Sequence, residues 1–270
     1  MKERLDILMT ARGLCPSREK AQAWLMAGSV LVDGQPAWKP GTKVDTDARI
    51  ELKQDPVPYV SRGGLKLEAA LDVWEINLKD AVCVDIGAST GGFTDLMLQR
   101  GAKRVYALDV GYGQLDYKLR NDARVVVMER INARYLPEGA IPEPAGFVSI
   151  DVSFISLKHI LPVAARLLKR NNEESKETDS LAANSLSGSA ATFAVTAASV
   201  PSIVALVKPQ FEAGREQVGK GGVIRDPAVH TEVVGKARSY AEENGLSVCG
   251  VLDSPILGAK GNKEFLLWLK

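Results

Sequence analysis

The sequence is poor in the residues that bind metals and form crosslinks. It has two histidines, His159 and His230, and three cysteines, Cys15, Cys83 and Cys249. None falls at metal-ligand spacing, which argues against a zinc or other metal site. The cysteines show no pairing pattern, so a reduced, cytoplasmic protein is expected. No stretch approaches the roughly 20 apolar residues of a membrane helix. The opening "MKERLDILMTARG" lacks the apolar run of a signal peptide. No membrane partner is expected. Net charge is +1, so no global basic field points to nucleic acid. What remains is an ordinary globular composition, 46% apolar and 25% charged.

Residues 1–58 read as a small α+β module with its linker. "RLDILMTARGL" places Leu5, Leu8 and Met9 on one helical face, and Gly13 ends that helix. Ser17 is the expected N-cap of a second helix, "REKAQAWLMAG", with Ala21, Trp24 and Leu25 on one face. "SVLVDGQPAW" carries Asp33-Gly34 as a hairpin turn, and "ARIEL" is a last short strand. "KQDPVPYVSRGG" breaks the pattern with two prolines and two glycines.

Residues 59–270 read as a second domain in which helix and strand alternate. "AVCVDIG", "RVYALDVG", "RVVVM", "FVSID" and "SIVALVK" are short β-branched runs. This rhythm predicts an α/β, Rossmann-like fold with a mostly parallel sheet. "HTEVVGKARSYAEENG" is a helix, and "LSVCGVLDS" and "EFLLWL" are two closing strands, the last antiparallel. Residues 171–198, rich in Ser, Asn and Glu, interrupt the rhythm and read as a flexible insertion.

"VCVDIGASTGGFTD" is a strand, a glycine-rich turn and a helix start. Gly87, Gly91 and Gly92 are expected to let the backbone approach a ligand. Asp109 ends the next strand, where dinucleotide folds place the acid that binds ribose hydroxyls. The spacing is G-x-x-x-G-G rather than G-x-G-x-x-G, and Asp85 precedes it. An anion there would repel a pyrophosphate and suit a cationic sulfonium or amino group. That favours S-adenosyl-L-methionine over NAD. "ALVKPQF" adds a puzzle, a buried strand that ends on Lys208.

Residues 4–44, "RLDILMTARGLCPSREKAQAWLMAGSVLVDGQPAWKPGTKV", resemble an S-four-like RNA-binding domain. "YVSRGGLKLEAAL", "DIGASTGGFTD", "ALDVGYGQLDYKLRND", "NARYL", "DVSFISL", "LVKPQFEAG", "VGKGGVIRDPAVH" and "GNKEFLLWL" resemble the FtsJ-like methyltransferase domain of the TlyA, or hemolysin A, family. The resemblance implies S-adenosylmethionine-dependent 2′-O-methylation of a cytidine ribose in ribosomal RNA. From the short end of the chain, the large subunit is the expected substrate. It also implies a catalytic set of Lys66, Asp151, Lys208 and Glu264. Lys208 is the candidate base, oriented by Asp151; Lys66 would steady alkoxide charge, and Glu264 would hold the lysines. The cofactor-binding candidates are Asp85, Gly87, Ser89, Thr90, Gly91, Gly92, Asp109, Val110, Asn132 and Asp151. Arg4, Arg12, Arg18, Lys20 and Arg62 are the RNA-binding candidates. Ile131 and Leu257 stand where the family more usually has threonine.

Other readings have less support. An amino-group methyltransferase would show a proline-rich run where this chain has "DVSF". Carbon methylation of a pyrimidine needs a nucleophilic cysteine near the pocket. A membrane-lytic protein would want a long basic amphipathic helix. A non-catalytic RNA-binding assembly factor would have no use for the Lys66, Asp151, Lys208 and Glu264 set.

Overall fold

The computed structural model describes residues 2–26, 28–52, 57–168, 201–219, 221–258 and 260–270. The insertion expected at 171–198 lies outside the described residues. The chain divides into two compact units, Met1–Pro58 and Tyr59–Lys270.

In the first unit, β1 (Lys2–Arg4) leads into α1 (Leu5–Ala11) and α2 (Arg18–Met26). Strands β2 (Val30–Val32), β3 (Gln35–Ala37), β4 (Lys43–Asp45) and β5 (Ile50–Leu52) follow. β1 pairs antiparallel with β4, and β2 lies between β3 and β5. Leu5, Met9, Cys15, Ala21, Leu25 and Val30 form the core. The helix ends follow local chemistry. Gly13 and Gly28 take φ +69° and +71°, and Ser17 Oγ accepts the Lys20 N–H at 3.3 Å. Asp33 and Gly34 both have positive φ, +51° and +77°, as a two-residue hairpin turn requires.

The second unit begins with α3 (Gly63–Val73). Gly64 is required there, because a Cβ would strike the Tyr59 ring. The elements that follow are β6 (Val82–Ile86), α4 (Gly92–Gln99), β7 (Arg104–Asp109), α5 (Tyr117–Arg120), β8 (Val125–Glu129) and β9 (Phe147–Ile150). After helical residues 161–168 (α6) come β10 (Ser202–Val207), α7 (Pro209–Glu212), α8 (Pro227–Glu243), β11 (Val248–Asp253) and β12 (Phe265–Leu269). The sheet order is β11-β12-β10-β9-β6-β7-β8. β12 runs antiparallel to both neighbours, and the other strands are parallel to one another.

Helices cover the sheet, so its central strands carry unbroken apolar runs. Ile203 to Val207 are 0–1% exposed. The chain runs outward from β6 to β7 and β8, then returns to place β9 on the other side of β6. That reversal opens a crevice at the carboxyl ends of β6 and β9, where ligands bind in open α/β sheets.

Candidate active site

Four charged residues meet at the carboxyl edge of the sheet as two ion pairs. Asp151 directly follows β9 and Lys208 directly follows β10. Pairing of Ile150 with Ala205, and of Val207 with Phe265, brings both to the edge where Glu264 enters β12. Lys208 Nζ lies 2.5 Å from Asp151 Oδ1 and donates to Ser153 Oγ at 2.9 Å.

Lys66, on α3, donates to Glu264 Oε2 at 2.6 Å. Its side chain is 10% exposed and that of Glu264 is 2% exposed. Taking both charges out of water is costly, and each is tolerable only because of the other. Gly258 crowds the same carboxylate, since a Cβ there would strike Glu264 Oε1. Sequence reasoning missed Gly258; its only signal was a glycine just before "AKGN".

The glycine loop, 87–91, sits beside this edge, and its glycines serve the fold itself. Gly87 has φ +89°, and a Cβ there would strike the Asp151 carbonyl oxygen. Gly91 has φ +96°, and a side chain would strike Leu119. Gly92 packs against Ser61 and the Gly64 nitrogen. At all three positions the missing side chain makes room for protein.

Asp85 also departs from expectation. It is fully buried under the loop, accepting from Thr94 Oγ1 at 2.6 Å and Ser149 Oγ at 2.9 Å. It presents no surface to a cationic ligand and instead ties β6 to α4 and β9. Burial pushes its carboxyl up to about 6 from 3.8, against the lowering effect of the two hydroxyls. An acid with a raised folded pKa favours the folded state while protonated. That contribution is full below the unfolded value and is lost as pH rises through about 6. The difference is on the order of 3 kcal/mol. The thermal midpoint should therefore fall between about pH 4 and pH 7, most of it below pH 6, and Asp85→Asn should flatten the fall. Melting curves of the two proteins across that range check this; an equally steep fall in the variant would reject Asp85 as its source.

Asp109 accepts the Ser89 N–H on Oδ2 and the Gly111 N–H on Oδ1, both at 2.7 Å. Each oxygen keeps a lone pair for a ligand hydroxyl. Ser89 and Thr90 are exposed on the loop, and Val110 is 68% exposed. The Asn132 side-chain oxygen caps the turn at 133–135 by accepting the Arg134 N–H at 3.1 Å.

Two further features were not legible in the sequence. Phe154 has φ +64° and is 90% exposed, with its ring 5.1 Å from Phe211. A bulky residue in the left-handed region is a rare conformation that clusters at functional sites. Glu212 accepts from Ser156 Oγ at 2.6 Å and the Leu157 N–H at 2.8 Å. It thus locks the loop carrying Asp151 to α7, which follows Lys208, and burial pushes its carboxyl up. Nearby residues include two exposed tyrosines with arginine partners, Tyr112 under Arg130 at 4.2 Å and Tyr135 under Arg134 at 5.4 Å.

Three of the arginines expected to bind RNA, Arg4, Arg12 and Arg18, have partners within the protein. Arg4 and Arg18 both pair with Asp6. Arg12 donates to the backbone oxygens of Ala48, at 2.6 Å, and Thr46. It fixes the turn before β5. Lys20 is half-buried on α2, and Arg62 is exposed just before α3. Cys83 is buried, and burial pushes its thiol far up, so it is no nucleophile. Among the described residues no group of three His, Cys, Asp or Glu could hold a metal. No helix of the described residues is long and apolar enough to cross a membrane.

Comparisons with known proteins agree with this architecture. The FtsJ-like methyltransferase family matches residues 59–270, and the S4 domain matches residues 3–50. YqxC of Bacillus subtilis is 47% identical over 272 residues, covering 99% of this chain and 85% of that protein. The 16S/23S rRNA (cytidine-2′-O)-methyltransferase TlyA of Mycobacterium tuberculosis is 43% identical over 270 residues, covering 100% and 90%. A solved structure from Streptococcus thermophilus, of a protein given the name hemolysin, superposes with a TM-score of 0.68 at 44% identity, covering 99% and 88%. The chain belongs to the FtsJ-like methyltransferase family and carries an S4 domain at its amino-terminal end.

Proposed function

We propose that this protein transfers a methyl group from S-adenosyl-L-methionine to the 2′-oxygen of a cytidine ribose in ribosomal RNA. The observation that carries the reading is the meeting of two ion pairs, Asp151–Lys208 and Lys66–Glu264, at the sheet edge beside the glycine loop. S-Adenosylmethionine supplies a methyl group on a cationic sulfur that leaves as a neutral thioether. The residues present suit it. Asp109 keeps lone pairs for ribose hydroxyls. Ser89, Thr90, Val110 and Asn132 complete the proposed contacts.

A ribose hydroxyl is a poor nucleophile until it loses its proton. Lys208 is the proposed base that takes that proton onto Nζ. Asp151 holds Lys208 in place. Lys66, steadied by Glu264, offers a positive charge to the developing alkoxide in a site largely closed to water. Phe154 offers an exposed ring face on which an unstacked base can lie. The substrate reading places the work in the cytoplasm, with the S4 domain and Arg62 meeting RNA phosphates. Membrane lysis or passive assembly would leave the paired lysines and acids without a task.

The test is methyl transfer from a radiolabelled donor to purified small and large ribosomal subunits. Label should enter ribosomal RNA and map to the ribose of a cytidine, with the large subunit the stronger substrate. Label on a base, or on neither subunit, would overturn the reading.

A further inference from the structure

Asp6 is fully buried, yet it holds two arginines that are 41% and 47% exposed. Arg4 binds it through Nε to Oδ1 and Nη2 to Oδ2, both at 3.0 Å. Arg18 Nε reaches the same Oδ2 at 2.9 Å, as does Gln22 Nε2 at 2.9 Å. The Ile7 N–H completes the set at 3.1 Å. Two guanidinium groups thus converge on one carboxylate oxygen. One arginine would suffice to neutralise the acid. The donor pattern is also lopsided: Arg4 Nη1 and both Nη groups of Arg18 make no hydrogen bond among the described residues.

We infer that Asp6 is a positioning residue for RNA binding, fixing Arg4 and Arg18 as a prearranged pair whose outward N–H groups meet one backbone phosphate. Carboxylate and phosphate then sit on opposite sides of the same two guanidinium groups, and each planar fork suits bidentate contact. Holding the side chains in advance removes the ordering cost that free arginines meet on binding. The inference rests on the reading of the first unit as an RNA-binding module.

The experiment measures affinity of the full chain for purified large ribosomal subunits, and its salt dependence. Asp6→Asn raises net charge by one. Plain electrostatics then gives tighter binding, whereas loss of positioning gives weaker binding by roughly tenfold with a shallower salt slope. Arg4→Lys and Arg18→Lys keep the charge and lose the fork; each should also weaken binding roughly tenfold. These two carry the test if Asp6→Asn unfolds the module, as circular dichroism and a melting curve would show. A folded Asp6→Asn protein that binds as well as or better than wild type overturns the inference. So do lysine variants that bind like wild type. The Arg4→Ala, Arg18→Ala double variant separates the two readings. If it binds undiminished, the RNA role of these arginines fails altogether. If it weakens while Asp6→Asn does not, only the positioning role fails.

Discussion

Lys208→Arg should abolish methyl transfer while leaving affinity for the methyl donor and for ribosomal RNA close to wild type. The substitution keeps the positive charge and its partner Asp151, 2.5 Å away. It removes the one property a base needs, since guanidinium does not give up its proton at usable pH. Loss of a general base typically lowers rate by about 10²–10⁴. Lys208→Ala should do the same, and single-turnover methylation with prebound donor separates chemistry from binding. Near-wild-type turnover in the arginine variant would make Lys208 a positioning cation. The proton would then have to leave through Lys66, Asp151 or water.

Glu264→Ala should damage both stability and activity. It strands Lys66, whose side chain is 10% exposed, as a buried charge without its partner. Breaking one side of a buried ion pair costs about 3–5 kcal/mol. At roughly 2–4 °C per kcal/mol for a unit of this size, the midpoint should fall by about 10 °C or more. A second variant divides structure from chemistry. Replacing both residues by apolar ones, Lys66→Met with Glu264→Leu, should restore much of the stability, because well-packed hydrophobic pairs often match buried ion pairs. It should not restore methyl transfer. If activity returned with stability, Lys66 would have no part in steadying the alkoxide.

The fold was legible wherever the chain writes a periodic pattern. Five runs such as "SIVALVK" are β-branched and apolar because both sheet faces are covered, and each is a strand of the sheet. β1 and β4 were not read. Each is three residues long, with "KER" and "KVD" showing no apolar alternation to detect. Side-chain direction was less legible still. Asp85 lies in the right motif, but its sequence position does not say that the carboxylate turns inward to Thr94 and Ser149. Arg4 and Arg18 are spaced like a solvated helix face, yet they share Asp6, a partner 12 residues before Arg18. The Lys66–Glu264 contact spans 198 residues. Only the strand register that sets Phe265 opposite Val207 brings Glu264 to the edge.

That register has a kinetic meaning. β12 is the last strand in sequence, yet it lies inside the sheet, between β10 and β11. During synthesis the other six strands emerge first. Until β12 arrives, β10 and β11 each present an open edge, the kind of surface that recruits other chains. Glu264 arrives with the same segment. A nascent chain still short of β12 therefore lacks one of the two ion pairs. The closing event in assembly is a long-range insertion, the slow type of contact to form. The same insertion that seals the exposed edges also completes the charged cluster, so a half-made enzyme sitting on a ribosome has no finished site with which to modify it.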